Sequence, residues 1–158
     1  MAPRIRRHRR GHVVIELDDH ERRILTDLVD QLRTMLMSGT EPSLRRLFPI
    51  AYTDDDTHER EYQSLVHGNL LEHRLSTLEV FEGSLDQTSI SLEQAESWMG
   101  AINDLRLVLG TLLDVSEDDG AFDPEAESAF TYAVYHFLGA LLEQVVEVLF
   151  TTLPPPSR

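Results

Sequence analysis

Ala95, Trp98, Ile102, Leu105, Leu109 and Leu112 recur at alternating steps of three and four residues, the spacing that lines one side of an α-helix with apolar side chains. A β-strand cannot use this pattern, because its side chains change face at every residue. The stretch also carries a start signal. Ser91-Leu-Glu-Gln94 is a capping box, in which serine and glutamine side chains each serve the other's backbone N–H. The spacing predicts a long helix with a packing seam, and the rest of the chain has to supply apolar faces that cover it.

Those faces are present. Asp18 and Glu21 form another capping box, Ile24, Leu25, Leu28, Val29, Leu32 and Leu36 repeat with helical period, and Ser38-Gly39 stops the helix. Between Pro42 and Pro49 there is room for a single helical turn. The acidic stretch Asp54 to Asp56 caps a long helix whose inward side is Tyr62, Leu65, Val66, Leu70, Leu71, Leu75, Leu78 and Phe81, ending near Gly83. Asp114 to Glu125 reads as an acidic loop. Asp123-Pro124 then opens a last helix that runs to about Thr151, and Pro154 to Pro156 end it. His12 to Leu17, rich in β-branched residues, is a short strand or extended lead-in. The expected fold is all-α, a helical bundle of four to five main helices with a short N-terminal extended segment. Residues 1–11 are expected as a basic flexible arm, 12–152 as a single helical domain and 153–158 as a Pro-rich tail.

Composition narrows the class. With 158 residues and 41% hydrophobic content the chain can bury one core. It contains no cysteine, which removes disulfides, thiolate metal sites, cysteine nucleophiles and thiol switches. The apolar stretch after the N-terminal arginines, Val13 to Leu17, is too short for a signal peptide, and the expected location is cytoplasmic. Ala129 to Leu142 is a long apolar run, but Glu143 and Glu147 interrupt the wider segment one helical turn apart, so it reads as a core helix and no membrane contact is expected.

Net charge is −14, unevenly placed. All 14 basic residues are arginine; five lie within residues 1–10, leaving the remainder near −19. Such a body repels nucleic acid, while Arg4, Arg6, Arg7, Arg9 and Arg10 attract it, since arginine pairs bidentately with phosphate. The same arm could meet an acidic protein or be a plain solubilising terminus.

Catalytic signals are thin. His58, His67 and His73 share a helix with Glu59, Glu61 and Glu72, yet they are nine and six residues apart, against the i, i+4 spacing of a helical zinc pair. No Glu-x-x-His pair occurs on two helices, as di-iron bundles require. A helical metal-dependent enzyme is therefore the alternative reading only; no catalytic residue, metal ligand or cofactor is assigned. His136, inside the most apolar helix, reads as a hydrogen-bonded core histidine. Asn103, Asp104 and Arg106 interrupt an apolar stretch near Gly100 and Gly110. Asp104 is expected to pair with Arg45 or Arg46 of the proline-bracketed turn; the polar group as a whole is either structural or, with Arg46, a partner-recognition surface.

Arg46-Leu-Phe-Pro49 with Ala51-Tyr52, Ala95-Glu-Ser-Trp98, Ala101-Ile-Asn-Asp-Leu-Arg-Leu-Val-Leu-Gly110 and Tyr135-His-Phe-Leu-Gly139 resemble the actinobacterial DUF2017 family over roughly residues 12 to 150. The Trp-to-Gly block is the specific part. Where the family commonly has tryptophan before Leu138, this chain has Phe137. The resemblance implies a helical, non-enzymatic regulator that works with a sigma factor or RNA polymerase on stress promoters; nucleic-acid contact through the arm and a homodimer are separate expectations. An adaptor that never meets DNA is a further alternative. The family's regulator senses oxidant through a cysteine pair, and that mechanism cannot operate here.

Overall fold

The structure, a computed structural model, describes residues 3–38, 47, 57–118 and 127–151, with backbone alone for 57–64, 114–118, 127–128 and 151. Its elements are β1 (Ile5–Arg7), β2 (Val13–Ile15), α1 (Asp19–Ser38), α2 (Thr57–Ser84), β3 (Ser89–Ile90), α3 (Leu92–Asp118) and α4 (Glu127–Thr151). The fold is all-α in character: among the described residues, four long helices join a small three-stranded sheet.

Both capping boxes form. At α1, Glu21 N–H donates to Asp18 Oδ1 at 2.7 Å and Asp18 N–H donates to Glu21 Oε1 at 3.0 Å. At α3, Gln94 N–H donates to Ser91 Oγ at 3.0 Å, and Ser91 N–H to Gln94 Oε1 at 2.9 Å. The caps satisfy backbone donors that a helix start leaves unpaired. α3 continues to Asp118, beyond the point where an acidic loop was expected.

The seam of α3 faces the core through Ala95, Trp98, Ile102 and Leu105, all buried. Its last members, Leu109 and Leu112, line an open groove with Leu28 and Met35 of α1. α2 buries Leu78 and Phe81 and partly buries Leu71 and Leu75, but Leu65 is 63% exposed. The inward side expected for this helix is thus realised in its C-terminal half.

α4 packs on α3 and β1 through Val134, Leu138, Leu141, Val145 and Val148, another stripe at steps of four and three. Among the described residues Ala129–Phe150 is the one helix long and apolar enough to cross a membrane. Here its buried stripe belongs to the protein core, and Glu143 and Glu147 are exposed.

Residues 1–11 were expected as a basic flexible arm, and residues 5–7 of that stretch form strand β1. β1 pairs antiparallel with β2, Ile5 opposite Ile15 and Arg7 opposite Val13, and β2 pairs antiparallel with β3. Ile5, hidden in sequence among arginines, is only 2% exposed and joins the core with Val13, Ile15 and Leu17. Burying that side chain offsets the entropy of ordering the segment. The Ile5 N–H, on the strand's outer edge, donates to Gln144 Oε1 of α4 at 2.9 Å. That bond closes an edge which would otherwise lie open to pairing.

Candidate functional site

Two groups of polar residues distinguish the molecule: the arginines of the β1–β2 hairpin, and a set of contacts where α2, α3 and α4 meet.

The five N-terminal arginines divide by role. Arg4 Nε lies 2.5 Å from Glu21 Oε2 of α1, and its guanidinium stands 5.3 Å from the centre of the Phe137 ring of α4. Arg4 therefore ties β1 to two helices, and Phe137 is its aromatic seat as well as a packing residue. Arg6 Nη2 pairs with Glu16 Oε1 at 2.5 Å across the hairpin. Arg7 closes β1 and is exposed. Arg9 and Arg10 occupy the turn, exposed, and among the described residues no carboxylate pairs with either.

That turn is built by the backbone. His8 N–H donates to the His12 carbonyl at 2.8 Å and Gly11 N–H to the His8 carbonyl at 2.9 Å. Gly11 sits at φ 100°, a conformation that side-chain-bearing residues rarely adopt, so glycine is required here. The imidazoles of His8 and His12 stack at 4.3 Å across the base of the turn, and Arg10 N–H donates to His8 Nδ1 at 3.1 Å. His8, Arg9, Arg10 and His12 together line an open hollow.

The second group centres on Asp104, whose expected partners Arg45 and Arg46 lie outside the described residues. Its partner is Arg74 of α2, whose Nη1 lies 2.5 Å from Asp104 Oδ1. The Arg74 Nε and Nη2 both donate to the carbonyl of Leu47, at 3.1 and 2.8 Å. Leu47 thus offers a backbone oxygen to Arg74, and Arg74 supplies the charge that faces Asp104. Asp104 is 3% exposed, so it works inside the fold and not on a recognition surface. Burial pushes its carboxyl above the usual carboxylate range, against the opposing pull of Arg74 and His73. Arg46 lies outside the described residues.

Arg106 and Asn103 differ from Asp104. Asn103 is exposed. The Arg106 guanidinium stands 4.8 Å from the centre of the Tyr135 ring, a cation–π contact between α3 and α4. A Cβ at Gly139 would lie 3.3 Å from Arg106 Nε, so the glycine makes the room the arginine occupies. Arg106 Nε is buried and has no hydrogen-bond partner among the described residues. Arg106 is also the last arginine before Arg158, in a half of the chain otherwise dominated by acids. Gly100 is used similarly toward α2, where a Cβ would meet Thr77 Cγ2 at 3.2 Å.

The histidines do not gather. His67 and His73 are exposed on α2, and among the described residues no three His, Cys, Asp or Glu side chains could hold a metal. The side chains of His58, Glu59 and Glu61 are outside the described set. His136 is exposed on α4, its ring edge-on to Tyr135 at 5.8 Å, which overturns its reading as a core histidine. The buried stripe of α4 passes through Val134 and Leu138 and leaves position 136 facing out.

Sequence reading missed three residues that organise these contacts. Arg22 of α1 donates to the carbonyls of Leu17, Leu85 and Gln87, clamping the α2–β3 connection. Arg33 joins α1 to α2 through Glu82 at 2.8 Å, and that hydrogen bond holds its guanidinium above its ordinary value. Arg74 carries no local signal, since its partners lie 27 and 30 residues away.

The arrangement defines a helical protein whose polar features are interhelical ties and a basic hairpin. The chain belongs to the DUF2017 family, a domain of unknown function whose profile matches residues 2–149. It is similar to a Mycobacterium leprae (strain TN) protein, AosR, named there as a proposed oxidative stress regulator, with 29% identity over 133 residues. The match takes in 71% of this chain and 60% of that relative, so the chain spans less than two thirds of its relative's length. No solved structure matches.

Proposed function

We propose that this protein is a non-enzymatic regulator of stress-responsive transcription, acting in the cytoplasm by binding a sigma factor or RNA polymerase. The observation that carries this reading is its similarity to AosR, a relative named for oxidative stress regulation. The surface of α3 and α4 supports it. Asn103 is exposed beside Arg106, a guanidinium oriented by Tyr135 and free of any described carboxylate, and such a pre-oriented cation suits an acidic group on a protein partner. Asn103 and Arg106 form the proposed partner contact. Asp104 and Arg74 hold the helices that present it.

A reversible thiol switch needs a cysteine and this chain has none, so oxidant is sensed by a partner or the protein answers to another signal. Transcript profiling of a deletion strain, with and without oxidant, tests the reading. A regulator predicts altered stress transcripts that are restored by the wild-type gene but not by N103A/R106A. Transcripts unchanged by the deletion contradict it.

A further inference from the structure

We propose that the tip of the β1–β2 hairpin is a contact site for the phosphate backbone of duplex DNA, made by Arg9 and Arg10 with His8 and His12 flanking them. The inference rests on the regulatory reading above and adds a second, separate surface to it.

Of the five candidate arginines, Arg9 and Arg10 lie on the turn itself, while Arg7 is the last residue of β1. Arg4 is held by Glu21 and Phe137, and Arg6 by Glu16. Arg9 and Arg10 remain exposed on a turn whose backbone is fixed by two hydrogen bonds and by Gly11. A fixed turn loses less conformational freedom on binding than a flexible arm, so each contact retains more of its interaction energy. The remainder of the chain, near −19, repels DNA, and only a projecting basic element can approach the phosphates. A two-stranded antiparallel ribbon also has the width of the major groove. An acidic protein segment has no groove to receive a ribbon, which favours DNA.

Binding of a labelled short duplex, followed by fluorescence anisotropy as salt is raised fourfold, distinguishes two arginines from five. Each neutralised phosphate adds about −0.9 to the log–log slope, so two contacts predict about a 12-fold fall in affinity and five predict about a 500-fold fall. R9A/R10A is expected to lose at least tenfold affinity at low salt, on the order of its two contacts. R9K/R10K should recover most of it, and R6A should bind within about twofold of the wild type. Thermal melting checks that R9A/R10A remains folded.

The proposal is overturned if the wild type does not bind the duplex, if R9A/R10A binds as the wild type does, or if polyglutamate binds the tip as tightly as DNA. A 500-fold salt effect shared equally by R6A and R9A/R10A also overturns it, since a diffuse arm would then be responsible. Capture of RNA polymerase by the wild type in the same preparation separates the two readings: a wild type that captures polymerase without binding the duplex sinks this inference and leaves the regulatory one standing.

Discussion

The indole N–H of Trp98 donates to the hydroxyl of Ser84 at 2.7 Å, and the ring of Phe81 meets the same indole edge-on with 4.7 Å between centroids. Ser84 in turn donates to the carbonyls of Val80 and Phe81 at the end of α2. The largest side chain in the core is thus fully buried with its one polar atom satisfied, and it joins α2 to α3.

Trp98→Ala is expected to destabilise the protein by about 3–5 kcal/mol, the usual consequence of emptying a large aromatic site. Ser84→Ala should cost about 1–3 kcal/mol, because the indole N–H is then buried unpaired. Urea denaturation measures both. A change below about 1 kcal/mol for Trp98→Ala would mean that the indole does not anchor the core.

Arg74→Ala leaves the Asp104 carboxylate buried without its main counter-charge, and a loss of about 3 kcal/mol near neutral pH is expected. Asp104 already titrates above the usual carboxylate range because it is buried. The folded state therefore keeps a proton that the unfolded chain has released, and the stability this contributes is complete below the ordinary carboxylate pKa and lost as pH rises through the raised one. The penalty of Arg74→Ala should consequently shrink on acidification, and in Asp104→Asn this part of the pH dependence should vanish. Denaturation midpoints at several pH values check both, and a penalty independent of pH would contradict the assignment.

Glycines in helices test the close approaches. Gly68 of α2 has open space where a Cβ would stand, so Gly68→Ala should stabilise by about 0.5–1 kcal/mol. Gly100→Ala meets Thr77 at 3.2 Å and should gain nothing or lose stability, and Gly139→Ala should disturb the Arg106–Tyr135 stack. Melting temperatures of the three variants decide, and equal gains at all three would show that α2, α3 and α4 are less tightly apposed.

The isolated protein is expected to be indifferent to thiol chemistry. Only methionine is open to mild oxidants; Met37 is 69% exposed and should react before the partly buried Met35. A thiol reductant does not restore the sulfoxide. Peroxide followed by a dithiol, with oligomeric state and partner affinity followed throughout, tests this. A change that the dithiol reverses would contradict it.

The helices were legible because their signals are local. Both capping boxes formed as read, and the seam from Ala95 to Leu105 is buried as its period requires. What escaped was non-local. Ile5 joins the sheet through pairing with Ile15 and a bond to Gln144, 139 residues away, and nothing in an arginine-rich decapeptide announces either. The Arg74–Asp104 pair also escaped, because which arginine reaches a buried carboxylate depends on how α2 lies on α3. His136 showed the limit of hydropathy: α4 is apolar on several sides, and composition does not say which side faces in. The candidate surface residues Asn103 and Arg106 were visible as polar interruptions, whereas the Gly139 space and the Tyr135 ring that orient Arg106 appear only in three dimensions.

A regulator of the proposed kind has to engage the transcription apparatus. The most direct measurement is quantitative co-purification of the tagged full-length chain from its native cell, before and after oxidant, beside the N103A/R106A variant. A sigma factor or RNA polymerase subunits are expected to be enriched with the wild type and depleted with the variant, whose folding is checked by thermal melting because Arg106 also packs on Tyr135. Equal recovery of those subunits with the wild type and an untagged control would contradict it.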